Sequence, residues 1–95
     1  MALFVIRWMD RPGALDVRMA ARPAHLAYVA AHPGMVKLGG PFLDELGEMS
    51  GSMMIVEAHD LTAAQAFHAA DPYRLAGLFE HSEVRPWRVT VGGLA

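Results

Sequence analysis

Residues 51–70, GSMMIVEAHDLTAAQAFHAA, decide the fold because they join a strand to a helix across only two residues, His59 and the capping residue Asp60. The segment SMMIVEA (52–58) is short and apolar, which is typical of a buried strand. Asp60 precedes the helix-favouring segment LTAAQAFHAA, and aspartate is a preferred N-cap residue. We therefore predict a β-strand over 52–58 and an α-helix over 61–70.

Two further strands are predicted on the N-terminal side of this unit. They are ALFVIRWM at 2–9 and MVKLGGP at 35–41, with a hairpin-like loop, FLDELGEMSG, at 42–51. Strand-forming side chains predominate in the first of them, and Phe4, Ile6 and Trp8 would share one face because successive side chains of a strand alternate. The Gly-Gly-Pro ending of the second indicates a strand end where backbone comes close to another group.

The segment between these strands favours helix but contains Pro23. A proline inside a helix removes a hydrogen bond and clashes with the preceding turn, whereas at the first helical position it costs little. We therefore predict a short helical turn at 14–20 and a separate helix from Pro23 to Ala31. His25 would then lie in the first turn of that helix.

The C-terminal quarter supplies a helix stop and a last strand. Asp71 precedes a proline and so favours extended backbone, which ends the second helix. A short helical or turn segment, RLAGLFEH, follows it, and then a strand, SEVRPWRVTV (82–91), in which Pro86 indicates an edge or a bulge. The order β-α-β-β-α-β predicts one ferredoxin-like α+β domain over 1–95, with a four-stranded antiparallel sheet and two helices on one of its faces.

The composition predicts a subunit interface. Hydrophobic residues make up 54% of the 95 residues and charged residues 19%, which leaves more apolar surface than so small a domain buries alone. The strands are apolar on both sides, and helices cover only one face of the sheet. We therefore expect a homodimer that forms through the other face, and a higher homo-oligomer stays open.

Several classes of partner are not expected. The net charge of -2 is spread along the chain with no basic stripe, so we expect no nucleic acid. No apolar run approaches the ~18 residues that span a bilayer, and the N-terminus lacks the basic region of a signal peptide, so we expect no membrane partner and a cytoplasmic location. There are no cysteines, which excludes disulfides and thiolate metal sites.

Four blocks of the sequence together resemble the YciI-like family. They are RPAHLAYV (22–29), LGGP (38–41), GSMMIVEA (51–58) and DPYRLAGLFEHSEVRPW (71–87), and they span nearly the whole chain. The resemblance implies a ferredoxin-like protein that dimerises face to face, as in the dimeric α/β-barrel superfamily. It also implies a site centred on a histidine and an aspartate, here His25 and Asp71. One branch of the family removes chloride from a hydroxylated chloroaromatic, but the loop FLDELGEM looks shorter here than in many relatives, which weakens inference about the substrate.

A His25–Asp71 dyad would transfer protons, because a carboxylate beside one ring nitrogen fixes the tautomer of the imidazole. This chemistry suits a cofactor-free lyase, isomerase or dehydrochlorinase acting on a small aromatic or keto-acid substrate. Each residue also has a structural alternative, since a histidine in an apolar helix often only packs and an aspartate before proline is a common helix stop.

Four more residues are candidates for substrate binding: Arg22, Gly40, Ser52 and Tyr73. Arg22 presents a fork of donors that suits an anionic group, or it is a solvated helix residue. Gly40 and Ser52 lie at strand ends, where backbone N–H groups and a hydroxyl can meet a ligand, although Gly40 also suits backbone geometry. Tyr73 either lines the pocket or packs in the core.

No metal and no cofactor are expected. The histidines lack the HxxxH spacing of helix-borne metal sites, and a metal site built from distant positions is the less favoured alternative. Two non-enzymatic functions compete with catalysis: a dimeric module that binds a small ligand or assists a pathway enzyme, and a purely structural dimer. His32, at the other end of the RPAHLAYVAAH segment, is predicted to cap the helix C-terminus.

Overall fold

The computed structural model describes residues 1–93. Its elements are β1 (Ala2–Asp10), α1 (Leu15–Ala30), β2 (Val36–Leu43), β3 (Met49–Ala58), α2 (Leu61–Ala69), α3 (Pro72–Leu75) and β4 (Phe79–Trp87). The strands form one antiparallel sheet in the order β2-β3-β1-β4. The predicted ferredoxin-like βαββαβ fold is confirmed, with the short helix α3 added between α2 and β4.

The hydrophobic core lies between one face of the sheet and the helices. Its strand residues come from alternating positions of the two central strands, as the period of two requires. They are Phe4, Ile6, Trp8, Met54, Val56 and Ala58, and they meet Ala64, Phe67, Tyr73 and Leu78. The face that carries Phe4, Ile6 and Trp8 is therefore the helix-covered one.

The first helix differs from its prediction, because α1 is one continuous helix from Leu15 to Ala30 with Pro23 inside it. His25 consequently lies in the second half of the helix and not in its first turn, so that prediction was wrong. A proline costs about 3 kcal/mol in a helix interior, but packing of a helix against a sheet outweighs intrinsic propensity. His32 does cap the end of α1, since its Nδ1–H donates to the Tyr28 carbonyl oxygen at 2.7 Å.

Strand boundaries differ at two places. The hairpin is tighter than predicted, since β2 extends to Leu43 and β3 begins at Met49. The last strand was predicted over 82–91, after a helical or turn segment that reached residue 81, but it spans Phe79–Trp87. Trp87 pairs with Leu3, near the start of β1, so residues beyond 88 have no neighbouring strand to pair with. Pro86 lies on an edge strand, as predicted.

The second face of the sheet carries no helix, and apolar side chains are grouped on it beside the Arg7–Glu83 ion pair. A cavity of about 520 Å³ lies on it, between the strands and the segment that follows β4. Its apolar lining residues are Leu3, Val5, Leu38, Met53, Ile55, Trp87, Val89 and Val91. We call this surface the open face. In the described part of the chain, no helix has the length and apolar character needed to cross a membrane.

Candidate active site

Asp71 and His25 meet in the interior of the protein. Asp71 is fully buried and His25 is 9% exposed. The His25 Nδ1 atom lies 2.9 and 3.0 Å from the two carboxylate oxygens of Asp71. Because an ionised carboxylate only accepts hydrogen bonds, Nδ1 carries the proton and donates it. In the neutral imidazole the other nitrogen, Nε2, is then the acceptor, as a general base requires.

The local sequence at Asp71 fixes the carboxylate. Pro72 favours extended backbone at the preceding residue, and Asp71 has φ -62° and ψ 130°. It caps α3, where its Oδ1 also accepts the Tyr73 backbone N–H at 2.9 Å. Asp71 therefore both caps α3 and contacts His25.

Aromatic rings fix the plane of the His25 imidazole. The Tyr73 ring stacks on it with a centroid separation of 4.1 Å and an interplanar angle of 16°. Trp8 meets it edge-on at 6.1 Å. Burial raises the pKa of the Tyr73 hydroxyl, against the lowering effect of the guanidinium groups of Arg18 and Arg22. Tyr73 thus packs as a neutral ring and also lines the pocket described next.

His25 borders a cavity of about 260 Å³, which we call the dyad pocket. Its polar side is formed by Arg18, Arg22, His25, Ser52 and Tyr73, and backbone is contributed by Gly39 and Gly40. Its apolar side is formed by Leu26, Val29, Val36, Pro41, Met49 and Met54. An apolar cavity of ~150 Å³ holds benzene, so the dyad pocket has room for one substituted ring. All six candidate residues except Asp71 line it, and Asp71 lies directly behind His25.

A residue that the sequence did not single out completes the polar side. Arg18 is 2% exposed, and its Nε–H and Nη2–H donate to the Asp10 carboxylate at 2.7 and 3.1 Å. Nη2 also donates to Ser52 Oγ at 3.0 Å. The guanidinium lies 4.9 Å from the centroid of the Tyr73 ring, within cation–π range. Ser52 is therefore tied to a buried cation beside the dyad.

Arg18 was missed as a site residue because the helix was predicted to break at Pro23, which would separate Arg18 from His25. In one continuous helix, residues 18, 22, 25 and 29 follow the i, i+4, i+7, i+11 spacing and share a face. That spacing was the available signal: extending the helix through Pro23 would have aligned Arg18 and Arg22 with His25. Arg22 itself is exposed at the rim of the pocket and has no ion-pair partner within residues 1–93.

The two glycines of β2 play different parts. Gly40 lines the dyad pocket through its backbone, and a Cβ there would meet nothing within 4 Å. It pairs with Met53, a residue of the open face, so its missing side chain points away from the pocket. Gly39 pairs with Met54 on the helix-covered face, and a Cβ there would lie 3.0 Å from Met54 Cγ. Gly39 therefore leaves space on the pocket side.

Comparison with known proteins agrees with this fold. The family model described as the YCII-related domain matches residues 2–88. The chain belongs to the YciI-like family. It is 37% identical to the protein YciI of Escherichia coli O6:H1, over 90% of this chain and 96% of that protein. It is 31% identical to an uncharacterized protein of Haemophilus influenzae, over 90% of this chain and 95% of that protein.

This YciI-like chain also resembles a solved enzyme structure. A 5-chloro-2-hydroxyhydroquinone dehydrochlorinase (TftG) from Burkholderia phenoliruptrix, in complex with 2,5-dihydroxybenzoquinone, is 37% identical to it with a TM-score of 0.83. The match covers 90% of this chain and 93% of that one. An antibiotic biosynthesis monooxygenase with a TM-score of 0.59 is 13% identical, so that likeness concerns the fold alone.

Proposed function

We propose that this protein is a small enzyme that transfers protons by general acid–base catalysis at the His25–Asp71 dyad. The observation that carries the proposal is the buried Nδ1–carboxylate contact beside a pocket. Asp71 holds one tautomer and one ring orientation, and Nε2 makes no hydrogen bond among the described residues. A base with these properties can remove a proton from a bound substrate and return it elsewhere, which is the chemistry of isomerases and lyases.

We propose that the substrate is one ring in size and carries negative charge on oxygen. The pocket volume of about 260 Å³ sets the size. Arg18, with Ser52 against it, and Arg22 at the rim place N–H donors where an oxyanion, carboxylate or phenolate oxygen is stabilised. Gly40 and Tyr73 complete the walls as backbone and ring. A hydroxylated quinone or a phenol, such as the compounds named for TftG, satisfies both requirements once a hydroxyl group is ionised.

The decisive experiment offers 5-chloro-2-hydroxyhydroquinone to the protein and measures chloride release, together with solvent deuterium incorporation into a panel of small phenols and keto acids. We expect turnover of at least one compound. General acid–base catalysis contributes about 10²–10⁴-fold, so His25→Ala should lower that rate by about a hundredfold or more. His59→Ala is the matched control, because His59 is exposed on the segment before α2.

The same experiment separates the enzyme from a binding module. If 2,5-dihydroxybenzoquinone binds and His25→Ala weakens its binding, but no compound is turned over, the protein is a ligand-binding or accessory module. If no compound binds at all, the dyad has only a structural role. Nitrogen NMR of the imidazole supplies an independent check, since Asp71→Ala should shift the tautomer equilibrium of His25 and His59→Ala should not.

We also propose that the protein is a homodimer assembled through the open face. On the open face, Leu38 is 44% exposed, Trp87 43% and Val89 47%. Apolar side chains grouped in this way on a sheet face that no helix covers are typical of a subunit interface. The proposed dimer interface and the dyad pocket lie on opposite faces of the sheet, so the two proposals can be tested separately.

A further inference from the structure

Asp10 is placed by strand alternation to reach the pocket residues. It follows Phe4, Ile6 and Trp8 on the helix-covered face of β1, at the end of the strand that faces the first half of α1. Its carboxylate contacts Arg18, and the two side chains are 6% and 2% exposed. A buried carboxylate at the end of a core strand is costly unless it is paired, and Arg18 provides that pairing.

The pairing leaves one edge of the Arg18 guanidinium free. Nε and Nη2 are engaged by Asp10, and Nη2 also by Ser52. Nη1 has no hydrogen-bond partner among residues 1–93, yet it is not among the side-chain nitrogens sealed from solvent, as those of Trp8 and His68 are. Since Arg18 is 2% exposed and lines the dyad pocket, that remaining exposure is toward the pocket.

We propose that Asp10 is a positioning residue. It binds the Nε–Nη2 edge of the Arg18 guanidinium, so that Nη1 faces the anionic group of the ligand. This inference rests on the proposed function, which supplies the anionic ligand. Asp10 does not line the dyad pocket and acts only through Arg18. A planar guanidinium held at two donors has one orientation, which gives directional recognition that a mobile charge does not.

Simple charge neutralisation makes the opposite prediction. If Asp10 only cancelled the charge of Arg18, its removal would leave a stronger cation and an anion would bind more tightly. If Asp10 orients Arg18, removal of Asp10 weakens the directional hydrogen bonds from Arg18 to the ligand. An anionic ligand would then no longer bind much more tightly than a neutral one. The sign of the change therefore decides between the two roles.

The test compares benzoate with benzamide, which have the same size and ring but differ in charge. Wild-type protein should bind benzoate about tenfold or more tightly than benzamide in calorimetric or NMR titrations, as a charge-assisted hydrogen bond implies. In Asp10→Asn the amide nitrogen faces the guanidinium with a donor, so the preference should fall to about threefold or less. Asp16→Asn, an exposed aspartate of the first turn of α1, should keep the wild-type preference.

A double variant shows whether Asp10 works through Arg18. Arg18→Met combined with Asp10→Asn removes both buried charges together and so avoids an unpaired charge. Its benzoate preference should match that of Asp10→Asn alone. A preference in Asp10→Asn that equals or exceeds that of wild type overturns the inference and leaves the anion site standing. A wild-type protein without any preference overturns the inference and the proposed anionic substrate, while turnover of a neutral substrate would still support the dyad.

One measurement needs no variant that could misfold. The Arg18 Nε–H resonance of wild-type protein should stay protected and unshifted while benzoate is added, because Asp10 keeps that donor. Loss of the resonance on binding would mean that Arg18 leaves Asp10 to reach the ligand, and that result would overturn the inference.

Discussion

His68 is a buried imidazole that forms no hydrogen bond to any residue within 1–93. It is 4% exposed, stacks on Trp8 and Phe79 at centroid separations of 5.6 and 5.1 Å, and neither ring nitrogen has a partner among the described residues. Burial lowers its pKa from the ordinary 6.5, the Asp71 carboxylate opposes that shift, and the Arg74 guanidinium adds to it. His68 is therefore a neutral aromatic ring in the core.

This environment predicts a pH dependence of stability. Because the folded-state pKa lies below the unfolded one, the unfolded chain takes up a proton first. The contribution of neutral His68 is complete above about pH 6.5 and is lost as the pH falls toward the lower folded value. The free energy of unfolding, measured with urea between about pH 8 and pH 5, should decline at the acid end, and His68→Phe should reduce that decline. An equal decline in His68→Phe and in the exposed control His59→Gln would contradict this prediction.

At the scale of the element, the sequence predicted the order and type of the elements but misplaced several of their ends. Each miss has a cause outside the local sequence. The packed face of α1 overrides Pro23, and β4 stops where β1 begins. His25 and Asp71 were found because a motif carries them, whereas Arg18 and Asp10 lie outside every motif. Their roles depend on one helix face meeting one strand end, which only the folded chain brings together.

The strand β2 offers a sharp test of the pocket wall. In Gly39→Ala the new methyl group would lie 3.0 Å from Met54 Cγ, so Met54 must move within a tightly packed wall of the dyad pocket. We expect the free energy of unfolding to fall by about 1–3 kcal/mol. We also expect the affinity for 1-naphthoate, relative to wild type, to fall more than the affinity for the smaller benzoate. Gly40→Ala is the matched control, since its Cβ would meet nothing within 4 Å and points to the open face. Equal affinities in both variants would show that Gly39 does not set the pocket size.

At the scale of the whole molecule, the two faces of the sheet have different roles. The helix-covered face holds the core and the dyad pocket, and its residues come from the even positions of β1 and β3. The open face is formed by odd positions such as Leu3, Val5, Met53 and Ile55. The strands carry apolar side chains on both faces, but helices cover only one of them, so a monomer would leave the other apolar face in water. This is why composition and alternation alone predicted an interface.

The predicted interface can be removed by one charge. Met53 is 38% exposed near the middle of the open face, between Gly40 and Arg7. Arg7 already donates its Nε–H to Glu83 at 2.6 Å, so Met53→Glu would bury a carboxylate without a cation of its own if a second copy covers it. Sedimentation velocity should then show a dimer for wild type and a monomer for Met53→Glu, because an unpaired buried charge costs several kcal/mol. Leu75→Glu on α3, where the leucine is 76% exposed, is the control and should stay dimeric. A wild-type monomer would contradict the predicted interface, and a Met53→Glu dimer would mean that the copies associate through another surface.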